Sequence, residues 1–156
     1  AWSVPIDTNP PRLAVIIDCT HRTWHSALEQ GECTLNVVSR ELLPRAVYAG
    51  TVSSREHDKI AETGLVTVAG SVIRTPILPQ CLANIECRIV SQTAETGLVL
   101  LEPLAAFADE EAYYAGWKME NGIYPVQHLG GERFQCGGDV LIQPALNIPP
   151  APASGR

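Results

Sequence analysis

Leu13-Ala14-Val15-Ile16-Ile17 runs directly into Asp18-Cys19-Thr20-His21-Arg22-Thr23, and the fold turns on how that junction is read. The five apolar residues read as a buried strand, entered through the turn Asn9-Pro10-Pro11. Trp24 to Gln30 reads as a short helix closed by Gly31. Between them lies a corner dense in hydrogen-bond donors. Strand, polar corner, helix is a workable anion site. Thr20 and Thr23 offer hydroxyls, Arg22 a forked cation, and the first-turn N–H groups lack intrahelical partners. The same residues would also serve as plain N-caps, with Arg22 solvated.

Working outward, the chain reads as mostly strands with a few short helices. Cys33 to Val38 is the next strand, with Cys33, Leu35 and Val37 on one face. Glu41 to Ala49 is helix-like, with Pro44 in its first turn, where a missing N–H costs little. His57 to Glu62 reads as a second short helix, and Leu65 to Val68 and Ser71 to Ile73 as weak strand segments. Cys81 to Ser91 and Glu95 to Ala108 look like the arms of a long hairpin, followed by a helical turn over Asp109 to Tyr114. From Ile148, Pro, Ala, Ser and Gly dominate, which reads as a loose tail after a domain spanning 1–147. Many short strands with helices tucked between them suggest a small closed barrel.

Composition bounds the function. The chain has 156 residues, one domain's worth, with 46% hydrophobic residues and a net charge of −6. The acidic balance argues against a nucleic-acid partner, and no apolar run is long enough to span a membrane. The five cysteines are odd in number and lack C-x-x-C spacing, so free thiols in a reducing cytoplasm are expected rather than a secreted disulfide framework. No charged-then-apolar leader is visible at the start.

Two further polar groups stand out. Ser53-Ser54-Arg55-Glu56-His57-Asp58-Lys59 places hydroxyls and cations just before a helical turn; its bland reading is a solvated, capped helix start. His128-Leu129-Gly130-Gly131 sets a histidine beside two glycines, which permit close backbone approach and could aim the imidazole into a pocket; its bland reading is a hairpin turn with an incidental histidine.

Taken in order, these motifs resemble the flavin reductase-like FMN-binding proteins. Trp2-Ser3 precedes a strand and the Pro-Pro turn, and Ile17 to Thr23 precedes a helix and Gly31-Glu32-Cys33-Thr34-Leu35-Asn36-Val37, similar to the family's G-E-F-x-L-N-V. Gly50-Thr51-Val52-Ser53-Ser54-Arg55 with Asp58-Lys59-Ile60 is similar to its G-x-x-S-G-R…D-K-F, with Ser54 for a usual Gly and Ile60 for a usual Phe. Leu82 to Cys87 resembles its L-E-C strand, and His128 to Gly131 its H-x-G-G.

The resemblance implies a split β-barrel, mainly β with short flanking helices, that works as a homodimer and binds FMN. It further implies a strand ahead of Ala1. Ile17, Asp18, Cys19, Thr20, His21, Arg22 and Thr23 would hold the FMN phosphate and ribityl chain. Ala1, Trp2 and Ser3 would lie along the isoalloxazine edge, and Asn36 belongs to the matching strand motif. Ser53, Ser54, Arg55 and Lys59 would close over the phosphate end, and His128 would sit where a nicotinamide stacks. The implied activity is hydride transfer from transiently bound NAD(P)H to flavin, serving a monooxygenase or another electron acceptor. No G-x-G-x-x-G follows a strand, so no Rossmann nicotinamide site is expected. A flavin carrier or sensor without turnover stays open. So does a metal site using Cys19, His21 and His25, although no convincing fourth ligand appears.

Overall fold

A computed structural model describes residues 2–119, 122–137, 139–142 and 144. The expected tail, 148–156, lies outside the described residues. In chain order the elements are β1 (Trp2–Thr8), β2 (Pro11–Ile16), α1 (Arg22–Gln30), β3 (Glu32–Val37), α2 (Leu43–Thr51), α3 (Lys59–Thr63), β4 (Ala83–Thr93), β5 (Leu98–Ala108), β6 (Val126–Gly130), β7 (Arg133–Cys136) and β8 (Asp139–Ile142). They fall into two compact units. The first is Ala1–Asn36, Val68–Ile77 and Asn84–Phe107; the second is Val37–Thr67, Leu78–Ala83 and Ala108–Arg156.

The first unit is built on a five-stranded sheet in the order β1-β2-β5-β4-β3. β1 is an edge strand, where Pro5 can lack its N–H without breaking a ladder, and the register shifts between Pro5 and Asp7. The β1–β2 turn is tied by the Asp7 carboxylate, which accepts the N–H of Thr8 at 2.7 Å and of Asn9 at 3.0 Å. Register decides which face is buried. Leu13 pairs with Leu101 and Val15 with Val99, and these residues pack on Trp24 and Leu28 of α1 together with Cys33, Leu35, Cys87 and Ile89. The opposite face carries Ala14 and Ile16 paired with Leu100 and Leu98, and Val4 and Trp2 paired with Ala14 and Ile16. Arg12 and Arg88 bracket Glu102 beside them.

The segment from Gly70 to Thr75 is where the structure departs most from expectation. Ser71 to Ile73 is not a strand. The N–H groups of Ser71, Val72 and Ile73 go to the carboxylate of Glu86 at 2.8, 2.9 and 3.1 Å, and those of Arg74 and Thr75 go to Glu32 at 2.7 and 2.9 Å. A loop whose consecutive donors are taken by side chains cannot join a ladder. Gly70 is required at its start, since a Cβ there would lie 2.6 Å from the Ile73 carbonyl oxygen and 3.0 Å from Glu86. Of the expected Leu65 to Val68 strand only the Val68–Ile77 bridge forms.

The second unit holds α2, α3 and a three-stranded sheet, β6-β7-β8. Its buried apolar residues include Leu42, Leu43, Tyr48, Leu82, Ala112 and Cys136. α2 starts two residues later than expected and keeps Pro44 at its start. α3 is capped by Asp58, which accepts the Ala61 N–H at 3.1 Å, and ends at Gly64 with φ 64°. Asp109 to Tyr113 forms the expected turn, the Asp109 carbonyl accepting the N–H of Ala112 and Tyr113. No helix among the described residues is long and apolar enough to cross a membrane.

Candidate functional site

The corner after β2 is the best-formed candidate, and its residues divide into two roles. Asp18 and Thr20 shape the turn: Asp18 Oδ1 accepts both the backbone N–H of Thr20 at 2.8 Å and its hydroxyl at 2.7 Å. Those Thr20 bonds hold the Asp18 carboxyl below its ordinary value. Thr20 is therefore engaged by Asp18 and does not cap the helix. α1 begins at Arg22, two residues earlier than expected, with His21 in the N-cap position and no side chain capping it. No acidic residue lies in its first turn. The Trp24 N–H donates to the His21 carbonyl at 3.1 Å, but among the described residues the backbone N–H groups of Arg22 and Thr23, the guanidinium of Arg22 and the hydroxyl of Thr23 have no hydrogen-bond partner. An uncapped helix start with a cation and a hydroxyl on its first turn favours an anion.

The corner is braced from below. Ile17 is buried and its N–H donates to the Gly97 carbonyl at 2.9 Å. Gly97 has φ 67°, and a Cβ there would lie 2.5 Å from the Ile17 carbonyl oxygen. Only glycine permits this close approach. Cys19 is exposed, and Trp2 and Ser3 lie on exposed β1, Trp2 at 64%. Asn36 on β3 donates from Nδ2 to the Thr34 hydroxyl at 3.4 Å. Ala1 lies outside the described residues. The first unit thus gathers Asp18 to Thr23 at one corner, with Trp2, Ser3 and Asn36 on its strands.

Ser53, Ser54, Arg55, Lys59 and His128 belong to the second unit. Ser53 turns the chain: its hydroxyl accepts the Arg55 N–H at 3.2 Å, and its carbonyl accepts those of Glu56 and His57 at 3.1 and 3.0 Å. Lys59 Nζ donates to the Ala49 carbonyl near the end of α2 at 2.5 Å, and burial lowers its pKa. His128 lies on β6 opposite Phe134, the rings stacked with centroids 4.9 Å apart, and Nε2 donates to the Gly131 carbonyl at 2.9 Å. A cavity of about 290 Å³ in this unit is lined by Met119, Pro125, Val126, Gln127, Gln135 and Gly137. In the strand alternation Gln127 and Gln135 take the face opposite His128 and Phe134.

Sequence reasoning passed over one polar cluster. Tyr48 donates to Glu62 Oε2 at 2.5 Å, and His57 Nδ1 lies 3.1 and 3.2 Å from the two Glu62 oxygens. A carboxylate only accepts, so Nδ1 carries the proton. The Tyr48 bond holds the Glu62 carboxyl below its ordinary value, and Glu62 holds the Tyr48 hydroxyl above its own. Among the described residues no three His, Cys, Asp or Glu side chains gather as a metal site.

The strand order, the short helices and the anion-favouring corner define a mainly β domain of the split-barrel kind. The flavin reductase like domain matches residues 1–121, and the chain belongs to that family. An uncharacterized protein, YddH of Escherichia coli K12, is 28% identical over 144 residues, which is 88% of this chain and 76% of that protein. The flavoredoxin of Desulfovibrio vulgaris (Miyazaki F) is similar in structure, with TM-score 0.79 and 25% identity over 92% of this chain and 79% of that one. An FMN-binding domain of flavin reductases-like enzyme from Shewanella baltica OS155 has TM-score 0.82 and 20% identity over 88% and 76%.

Proposed function

We propose that this domain binds FMN and works as an NAD(P)H-dependent flavin reductase-like oxidoreductase. The observation that carries the reading is the uncapped start of α1, with Arg22 and Thr23 unpartnered in its first turn. That donor set fits a phosphate monoester: one forked cation, one hydroxyl and the free backbone N–H groups of Arg22 and Thr23, with the Asp18 carboxylate of the same corner already engaged by Thr20. Bound FMN would supply the hydride-accepting chemistry, with NAD(P)H as transient donor and a monooxygenase or another acceptor downstream.

The chain's own part is to hold and orient. Arg22 and Thr23 bind the phosphate, Asp18 and Thr20 shape the turn that presents them, and Gly97 sets its height through Ile17. Trp2 and Ser3 are assigned to the ring side. His128 is assigned to the nicotinamide side, its ring fixed by Phe134 and by the Nε2–H bond to Gly131. A homodimer is supported by the apolar sheet face bearing Trp2, Val4 and Ile16, which are 64%, 53% and 43% exposed. A reducing cytoplasm is supported by five free cysteines, of which Cys33 and Cys87 are pushed by burial up to about 11 and about 12, beyond easy oxidation.

FMN titration followed by an NAD(P)H oxidation assay tests the reading. Saturable FMN binding with FMN-dependent oxidation is expected. Binding without oxidation would make the protein a flavin carrier, and no binding would end the proposal.

A further inference from the structure

We propose that the cavity of about 290 Å³ beside β6 and β7 binds a small uncharged lactam, a single ring whose amide N–H and C=O lie on the same side, at a site separate from the flavin and nicotinamide positions assigned above. Gln127 and Gln135 line it and pair directly across the two strands, so their side chains leave the sheet side by side on one face. Among the described residues neither side-chain amide has a hydrogen-bond partner. His128 and Phe134 stack on the other face. The walls are tied before any ligand arrives, and all their residues belong to the second unit. The Val126 N–H donates to the Val38 carbonyl at 3.0 Å, and Ser39 bridges to Pro125. The Met119 N–H donates to the Trp117 carbonyl at 3.0 Å, and its carbonyl accepts the Gly122 N–H at 3.2 Å. A Cβ at Gly137 would lie 3.3 Å from three atoms of the Tyr124 ring, so that wall is bare backbone.

None of the six lining residues is charged, so a charged ligand would lose its water with no counter-charge in return. A purely apolar ligand would cover two amides and leave them unpaired. What fits is a neutral group that both donates and accepts, with an apolar body against Met119, Pro125 and Val126. The cross-strand pairing narrows this further. Facing side chains start about 5 Å apart, so two neighbouring carboxamides reach one edge of a ligand. One accepts its N–H and the other donates to its C=O. A ring amide presents both groups on that edge, while an open-chain trans amide points them apart. Size sets the rest: the cavity falls at the small end of ligand pockets, about 300–1,000 Å³, which suits one ring and excludes a dinucleotide.

The test titrates the whole nitrogen-15-labelled chain with δ-valerolactam and follows the side-chain NH₂ signals of Gln127 and Gln135 by NMR. Both should shift saturably at millimolar probe. Cyclohexanone keeps the ring and the carbonyl but lacks the N–H, and should bind about tenfold more weakly, one hydrogen bond's worth. Cyclohexanecarboxylate should not bind. Gln127→Leu and Gln135→Leu keep the bulk and remove the amide, so each should lose about tenfold in lactam affinity while the backbone spectrum stays native. Adding FMN or NADH should leave the lactam shifts in place. The absence of saturable shifts at the two glutamines, equal affinity for cyclohexanone, or native lactam affinity in both folded variants overturns the site. Displacement of the lactam by FMN or NADH overturns its separateness and gives the cavity to the cofactors.

Discussion

Ser71 gives both its backbone N–H and its hydroxyl to one oxygen of Glu86, at 2.8 and 2.9 Å. Glu86 is fully buried, and Val72 and Ile73 donate to its other oxygen. A carboxylate inside the protein is thus held by N–H and O–H dipoles, and cutting it away strands several donors at once. Glu86→Ala should destabilise the protein by about 3 kcal/mol, read as a drop in the urea midpoint.

Acid should act on the same carboxylate. Burial alone would raise its pKa, but the bonds from Ser71, Val72 and Ile73 outweigh that and leave it lowered. A lowered folded pKa contributes stability above the unfolded value of about 4.3, and that contribution is lost as pH falls through the folded value. The urea midpoint should therefore fall with pH below about 4 in the unmodified protein. The fall should be shallower in Glu86→Gln; parallel profiles would assign the acid sensitivity to other groups.

Gly97→Ala should cost about 2 kcal/mol or more, since the residue has φ 67° and its new methyl would meet the Ile17 carbonyl. The strain falls on the residue that supports Asp18 to Thr23, so FMN affinity should drop along with the melting temperature. A stable variant with native FMN affinity would show that the corner is not braced from Gly97.

Arg22→Ala and Thr23→Ala should weaken FMN binding more than riboflavin binding. One charge-assisted bond lost at Arg22 is about 1.5–3 kcal/mol, roughly tenfold to a hundredfold in affinity. Equal losses for the two flavins would place the phosphate elsewhere.

His128→Ala should slow NAD(P)H-dependent flavin reduction and leave FMN affinity nearly intact. Stopped-flow reduction with pre-bound FMN measures this. An unchanged rate and KM would leave His128 as the partner of Phe134 and Gly131 that closes the β6–β7 hairpin, and nothing more.

Sedimentation should give a homodimer at micromolar concentration. Val4→Asp places a charge on the exposed apolar face of β1 and should shift the population toward monomer. A monomer that still binds FMN would remove the dimer from the proposal.

The sequence was most legible where a local pattern carries the geometry. Leu13 to Ile17 marked β2, Gly31 closed α1 with φ 72°, and Pro44 marked the start of α2. The order of short motifs was enough to reach the family. It failed where a distant partner decides the backbone. Val72 and Ile73 are β-branched and read as strand, but Glu86 and Glu32, well separated in the chain, take their donors and those of their neighbours. Thr20 read as a cap, but Asp18 takes it first. His57 stood in a recognised polar stretch, but its link to Tyr48 and Glu62 went unnoticed because neither has a helical or hairpin spacing to it that flags a cluster.

The loop from Ser71 to Thr75 has a consequence for how freely this chain can drift. Its shape is set by main-chain donors meeting Glu32 and Glu86, and by the lack of a side chain at Gly70. The outward side chains take little part: Val72 is 57% exposed, and the Arg74 side chain 78%. Replacement at these positions leaves the scaffold its grip on the backbone, so the segment can accumulate new surface chemistry while the fold stays put. The buried Glu86, the half-buried Glu32 and Gly70 set the limits within which it can vary.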